Sequence, residues 1–166
     1  KMHREEKQHG ELKRSYDAII FGLGRYGDAM ARRFKEQGYN VLGIDFDPDV
    51  IKRARREGIS AVYGDAADPE FPSHLPLDDA KIVVFSFHHY MTGPLITDLR
   101  RTLAKALRED GYKGHIAATT HHPEHDTDLH KHGIDIVLDP FEDAAYRATE
   151  QIVDTLRGEN TKPSST

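Results

Sequence analysis

Along this chain, short unbroken apolar runs alternate with longer stretches in which apolar residues recur every three or four positions. The first pattern is that of strands buried on both faces and the second that of amphipathic helices. Ala18-Ile19-Ile20-Phe21 reads as a first strand. Arg25 to Gln37, with Met30 and Phe34 at helical spacing and Gly38 as its C-cap, reads as a helix. Asn40 to Ile44 is a second strand. Asp47 then places a capping side chain ahead of Pro48, so a helix is predicted over Asp49 to Glu57, ended by Gly58.

Ile59 to Tyr63 makes a third strand and Gly64-Asp65-Ala66-Ala67-Asp68-Pro69 a turn, after which Pro72 and Pro76 leave room for at most one short helix. Lys81 to Phe87 is a fourth strand. Leu95, Leu99, Leu103 and Leu107 recur every four residues, which predicts a long helix from about Thr92 to Glu109, stopped by Gly111. His115 to Thr119 is strand five, Pro123 to His132 a short helix ended by Gly133, and Ile134 to Leu138 strand six. A final amphipathic helix, Phe141 to Leu156, follows Asp139-Pro140.

Six alternations of strand and helix, with right-handed crossovers, predict an α/β fold: a doubly wound, Rossmann-like parallel sheet of order 3-2-1-4-5-6. Its ligand crevice would lie between strands one and four. The domain is expected over residues 15–157, preceded by a polar linker or helix at 1–14 and followed by a disordered tail at 158–166.

Composition narrows the classes. A chain of 166 residues fits one domain of ordinary size. It has no cysteine, hence no disulfide framework, thiolate nucleophile or Cys-ligated zinc. Its apolar runs fall short of the roughly 20 residues that cross a bilayer. A formal net charge of −5 without a sustained basic stripe argues against nucleic acid as a partner. Lys52-Arg53-Ala54-Arg55-Arg56 reads instead as the solvated face and C-terminal end of a helix. The polar opening Lys1 to Arg14, with Lys1 ahead of Met2, fits a piece of a longer polypeptide or a few residues added for expression.

The chemistry concentrates after the first strand, where Gly22-Leu23-Gly24-Arg25-Tyr26-Gly27 forms G-x-G-x-x-G. Gly22 permits a sharp turn, Gly24 removes a side chain that would block a pyrophosphate, and Gly27 lets the helix lie close on the sheet. Backbone amides and a helix N-terminus would then face an anion. Arg25 offers a guanidinium fork to phosphate oxygens or is simply exposed at the first helical position. Asp45, closing strand two, can accept both ribose hydroxyls and would repel a 2′-phosphate. The expected ligands are therefore NAD(H) or simple adenine nucleotides and not NADP, unless Arg53 or Arg55 reaches back. Asp47 is most simply an N-cap, while Asp65 either receives an adenine amino group or caps the next turn.

These residues resemble the nucleotide-binding half of RCK domains, also called KTN or Trk-type N-terminal domains, especially those of Kef-type potassium/proton antiporters. The matching pieces are Gly22 to Gly27, Gly43-Ile44-Asp45-Phe46-Asp47-Pro48, Val62-Tyr63-Gly64-Asp65-Ala66 and Gly133-Ile134-Asp135-Ile136-Val137-Leu138-Asp139-Pro140. The resemblance implies a regulatory domain on the cytoplasmic side of a membrane that senses NAD(H) or AMP/ADP/ATP. It also implies a homodimer that biases a transmembrane potassium or other monovalent-cation transport domain of the same or a partner chain. Carried over by position, Gly22, Gly24, Arg25 and Gly27 would hold phosphate, Asp45 the ribose, and Asp65 with Ala66 the adenine. Leu23, Tyr26, Phe46, Asp47, Gly64, Ser86 and Phe87 complete the expected nucleotide-binding set, and no metal ligand is expected. After strand four the family often has a polar, Asn-containing helix start, where this chain has Ser86-Phe87-His88-His89-Tyr90-Met91-Thr92-Gly93-Pro94.

Two other readings stay open. An NAD-dependent oxidoreductase fragment would need a general acid or base, but none of Tyr16, Tyr26, Tyr39, Tyr63, Tyr90, Tyr112 and Tyr146 has a lysine four residues later, which leaves His88. A pure interaction module would use the Leu95-Leu99-Leu103 helix and the final helix as a dimer seam. Six of the eleven histidines lie between His115 and His132, and on a helix beginning at Pro123 they present no clean i, i+4 pair, so surface and cap roles are expected and no metal site. No catalytic residue is assigned.

Overall fold

The computed structural model describes residues 15–87 and 98–158. Six strands, β1 (Ala18–Phe21), β2 (Val41–Asp45), β3 (Ser60–Tyr63), β4 (Ile82–Phe85), β5 (His115–Thr119) and β6 (Ile136–Leu138), form one sheet of order β3-β2-β1-β4-β5-β6. Every pairing is parallel, as short crossovers through helices require. The doubly wound arrangement expected from the alternation of patterns is therefore the observed one.

The described residues form four helices: α1 (Arg25–Glu36), α2 (Pro48–Arg56) and α3 (Leu99–Glu109), which pack into the cores beside the sheet, and α4 (Pro140–Leu156). Alternate side chains of each strand point to opposite faces, and two apolar clusters result. Ala18, Ile20, Val84 and Ala117 meet Ala31 of α1 and Ile51 and Ala54 of α2. Ile19, Phe21, Val83, Phe85 and Ile116 meet Leu103 and Leu107 of α3, with Leu129 and Ile134.

Three expectations change. The helix predicted from about Thr92 begins at Leu99, because Asp98 has extended backbone and its carboxylate accepts the Arg100 N–H at 3.0 Å; Thr92 to Thr97 lie outside the described residues. Of the seam read from Leu95, Leu99 and Leu103, Leu103 is buried in the chain's own core and cannot line a dimer contact, while Leu95 lies outside the described residues. Finally, Pro123 to His132 is not one helix but two single 3-10 turns, Pro123–His125 and Leu129–His132. The intervening Asp126 is drawn out of helical geometry by Arg100.

That guanidinium is the main polar feature of the interior. Arg100 is 2% exposed, donates to Asp98 and Asp126 through both edges, and donates to the Thr119 carbonyl at 2.9 Å. The Thr120 hydroxyl also donates to Asp126. Burial opposes the charge, but the two carboxylates outweigh it and hold the Arg100 pKa above its ordinary value. The network ties the start of α3 to the C-terminal end of β5.

Helix α4 is different. None of its residues is buried, and Phe141, Ile152 and Leu156 are 68%, 59% and 79% exposed. Asp139 caps it through the amides of Phe141 and Glu142, both at 3.1 Å. In its first turn the Phe141 ring lies edge-on to His121, in the loop after β5, with ring centroids 5.4 Å apart.

Candidate functional site

Strand order reverses between β1 and β4, the point at which a ligand crevice is expected in such sheets. The glycine loop leaves β1 there, and its three glycines have three different structural reasons. Gly22 sits at φ +94°, and a Cβ would stand 2.6 Å from the Ser86 carbonyl oxygen. A Cβ on Gly27 would stand 1.9 Å from the Gly22 carbonyl oxygen, so the loop cannot close over any other residue. Gly24 has φ −64° and ψ −170°, open to every amino acid, and among the described residues a Cβ there meets nothing within 4 Å. Folding explains Gly22 and Gly27, whereas no packing neighbour among the described residues explains Gly24.

Helix α1 begins at this open point without a side-chain cap. By contrast α2, α3 and α4 each begin with an aspartate, Asp47, Asp98 and Asp139, whose carboxylate accepts a first-turn amide. The first-turn N–H groups of Arg25, Tyr26 and Gly27 have no partner inside their own helix, and the positive end of the helix dipole sits with them. Such an end accommodates an anion.

The loop is held from two sides. The Leu23 side chain is fully buried and fills the place that a Cβ on Gly43 would take, only 2.4 Å away. The Leu23 N–H donates to Asp45 Oδ2 at 2.8 Å, and its carbonyl accepts from Arg53 Nη2 at 3.2 Å. Leu23 thus anchors the loop, and its amide is already engaged. Asp45 Oδ1 accepts the Asp47 N–H at 2.9 Å, so both carboxylate oxygens are oriented by backbone and each keeps a lone pair for a further donor.

The other expected residues surround this centre. Arg25 is exposed at the first position of α1, and Phe46 lies exposed just beyond Asp45. Asp47 caps α2 by accepting the Asp49 N–H at 2.9 Å. Gly64 has a packing cause, since a Cβ there would lie 2.2 Å from the Phe71 ring. Asp65 is exposed and caps its turn through the Ala67 N–H at 2.9 Å, with Ala66 packed on the core. Ser86 is buried at the end of β4, and among the described residues its hydroxyl has no partner. Phe87 stacks on Phe85 at 5.8 Å. Tyr26 is half-buried; burial and the nearby Asp143 carboxylate of α4 raise its phenol pKa. His88 and His89 lie outside the described residues, and no group able to hold a metal ion occurs among the described ones. Arg53 escaped the sequence reading as a definite neighbour of the loop, because its contact spans thirty positions.

Residues 18–140 match the TrkA-N domain. The chain belongs to that family. It is 27% identical over 134 residues to the Ktr system potassium uptake protein C of Bacillus subtilis, covering 81% of this chain and 58% of that protein. It is 27% identical over 116 residues to the glutathione-regulated potassium-efflux system protein KefC of Escherichia fergusonii, covering 66% of this chain and 19% of that one. The TrkA-N chain thus spans only part of these relatives. In fold it is similar to the TrkA-N domain of the Escherichia coli inner membrane protein ybaL, with TM-score 0.68 and 18% identity over 84% of this chain and 98% of that one. It is also similar to the GsuK channel bound to NAD, with TM-score 0.63 and 18% identity over 77% of this chain and 22% of that one. Among the described residues no helix is long and apolar enough to cross a membrane.

Proposed function

We propose that this TrkA-N domain is a regulatory module of a potassium or other monovalent-cation transport system, and that it senses NAD(H) or an adenine mononucleotide. The observation that carries the reading is Gly24: a glycine with ordinary dihedrals and no packing neighbour, at an uncapped helix start beside a fixed carboxylate. The amides of Gly24, Arg25, Tyr26 and Gly27 would receive the phosphates, with Arg25 as an added cation. Asp45 would accept the ribose hydroxyls on its free lone pairs, with Phe46 and Asp47 beside it. Gly64, Asp65 and Ala66 would flank the adenine, and Ser86 and Phe87 would form the opposite wall. No residue is given a catalytic role.

Regulation needs a ligand that prefers one conformation over another and an element that carries the difference outward. Helix α4 suits the second requirement. A helix of 17 residues that buries no face is marginal alone in water, and Phe141, Ala145, Ala148 and Ile152 recur along one side of it. We infer that this stripe pairs with a second copy of the chain, on the cytoplasmic side of the membrane component it controls. Asp143 on its first turn lies near Tyr26 of the glycine loop, which sets α4 close to where a bound phosphate would sit.

Isothermal titration calorimetry with NAD, NADH, AMP, ADP and ATP, followed by absorbance at the NADH band, tests the reading. Saturable binding without cofactor turnover is expected. Absence of heat with all five ligands would refute nucleotide sensing, and steady NADH oxidation would instead favour an enzyme fragment.

A further inference from the structure

Arg53 has an unusual position for a solvent-side helix residue. Its guanidinium reaches from α2 to the glycine loop, where Nη2 donates to the Leu23 carbonyl at 3.2 Å. The amide of that same Leu23 donates to Asp45 Oδ2 at 2.8 Å. A fixed cation and a fixed carboxylate are therefore tied to one loop residue. Arg32, Arg100, Arg101, Arg108 and Arg147 all form ion pairs, but Arg53 has only the Leu23 carbonyl among the described residues. The other candidate, Arg55, donates through Nε to the Ala61 carbonyl at 2.8 Å and is thereby directed to the outer strands.

Asp45 cannot swing aside without giving up the Leu23 and Asp47 amides. Left alone, a carboxylate so held would exclude any phosphate on the ribose 2′-oxygen, and a nearby arginine is the general means of admitting one. Guanidinium N–H groups match phosphate oxygens in geometry as well as charge, and four of the five donors of Arg53 remain for such a group.

We propose that Arg53 makes the adenosine site accept a 2′-phosphate, so that NADP(H) is a ligand of this domain alongside NAD(H). The proposal rests on the nucleotide reading above and extends it to a second ligand class. Arg53 acts there as the specificity-determining residue, offsetting Asp45 at the 2′-position while the pyrophosphate stays on the α1 amides.

Calorimetry on the whole chain with NADH, NADPH, 5′-AMP and 2′,5′-ADP, before and after Arg53→Gln, decides it. Glutamine keeps an N–H able to reach toward the Leu23 carbonyl and removes the charge, and a thermal melt of the variant checks that the fold is kept. The expected result is NADPH binding within about tenfold of NADH. Arg53→Gln should then weaken NADPH and 2′,5′-ADP about tenfold or more and change NADH and 5′-AMP by less than about threefold. A wild-type preference for NADH beyond about tenfold would overturn the proposal. So would an equal loss for all four ligands, which would assign Arg53 to the loop or the 5′-phosphate. If none of the four binds the wild type, the nucleotide reading itself is at fault, an outcome distinct from both.

Discussion

Gly24→Ala separates binding from folding. The new methyl meets nothing within 4 Å and the backbone at φ −64° already suits alanine. Alanine is a poor helix cap, a loss of about 1 kcal/mol or less, and it stiffens the unfolded chain, a gain of about 0.4–1 kcal/mol. The two nearly cancel, so the melting temperature should move by no more than about 4 °C. On the nucleotide reading the same methyl would project into the space through which phosphate oxygens reach the α1 amides. A loss of at least about 1.4 kcal/mol, or tenfold in affinity for NADH and 5′-AMP, is expected. Gly27→Ala is the control of opposite kind. Its Cβ would stand 1.9 Å from the Gly22 carbonyl oxygen, backbone against backbone, and should destabilise the domain by about 3 kcal/mol or more. Circular dichroism melts and calorimetry on the two variants read both quantities. A Gly24→Ala protein that folds normally and binds as tightly as the wild type would refute the assignment of that open space to a phosphate.

Asp45→Ala should weaken adenine-nucleotide binding by about tenfold or more and, by freeing the Leu23 and Asp47 amides, lower stability by about 1–3 kcal/mol in a denaturant titration; unchanged affinity would remove Asp45 from the site. Arg100→Met leaves Asp98 and Asp126 facing each other without their cation and should cost about 3–5 kcal/mol, and a variant as stable as the wild type would show that the network does not hold α3 to β5. The Tyr112 phenol, buried and donating to the His115 carbonyl at 3.1 Å, has its pKa pushed up to about 12 by burial; Arg108 lowers it and Asp135 raises it. Because the folded state keeps that proton longer, its stabilising effect is full below pH ~10 and is lost as pH rises toward 12, about 2–3 kcal/mol in all; Tyr112→Phe should remove that part of the pH dependence of unfolding, and an unchanged alkaline slope would contradict it. Ile152→Asp with Leu156→Asp should leave the fold intact and yield a monomer by analytical ultracentrifugation where the wild type is expected to dimerise, whereas a dimer that persists would place the interface elsewhere.

Most of the fold was legible because its punctuation is local. Gly38, Gly58, Gly111 and Gly133 all take positive φ where helical stretches end, and Asp47 and Asp139 cap the helices whose starts their prolines mark. The glycine loop was legible for the same reason. What escaped depends on contacts distant in sequence. Asp98 starts α3 only at Leu99 because its side chain caps the helix and pairs with Arg100. Asp126 breaks the segment from Pro123 to His132 because it is bound to the same arginine 26 residues away. The four-residue leucine spacing correctly marked an apolar face, but it could not say that the face turns inward. At the site, the positions of the glycines and of Asp45 were readable, while the separate causes of Gly22, Gly24 and Gly27 required the neighbouring Ser86 and Gly22 carbonyls to be seen. The reach of Arg53 to Leu23 likewise has no local signal.

A crystal structure of the chain grown with NADH is the most direct measurement. The expected result is pyrophosphate density against the amides of Gly24 to Gly27, with the adenosine ribose hydroxyls within hydrogen-bond distance of the Asp45 oxygens. Density for the dinucleotide anywhere else on the molecule, with the space before Gly24 vacant at saturating ligand, would contradict nucleotide sensing at the β1–α1 turn.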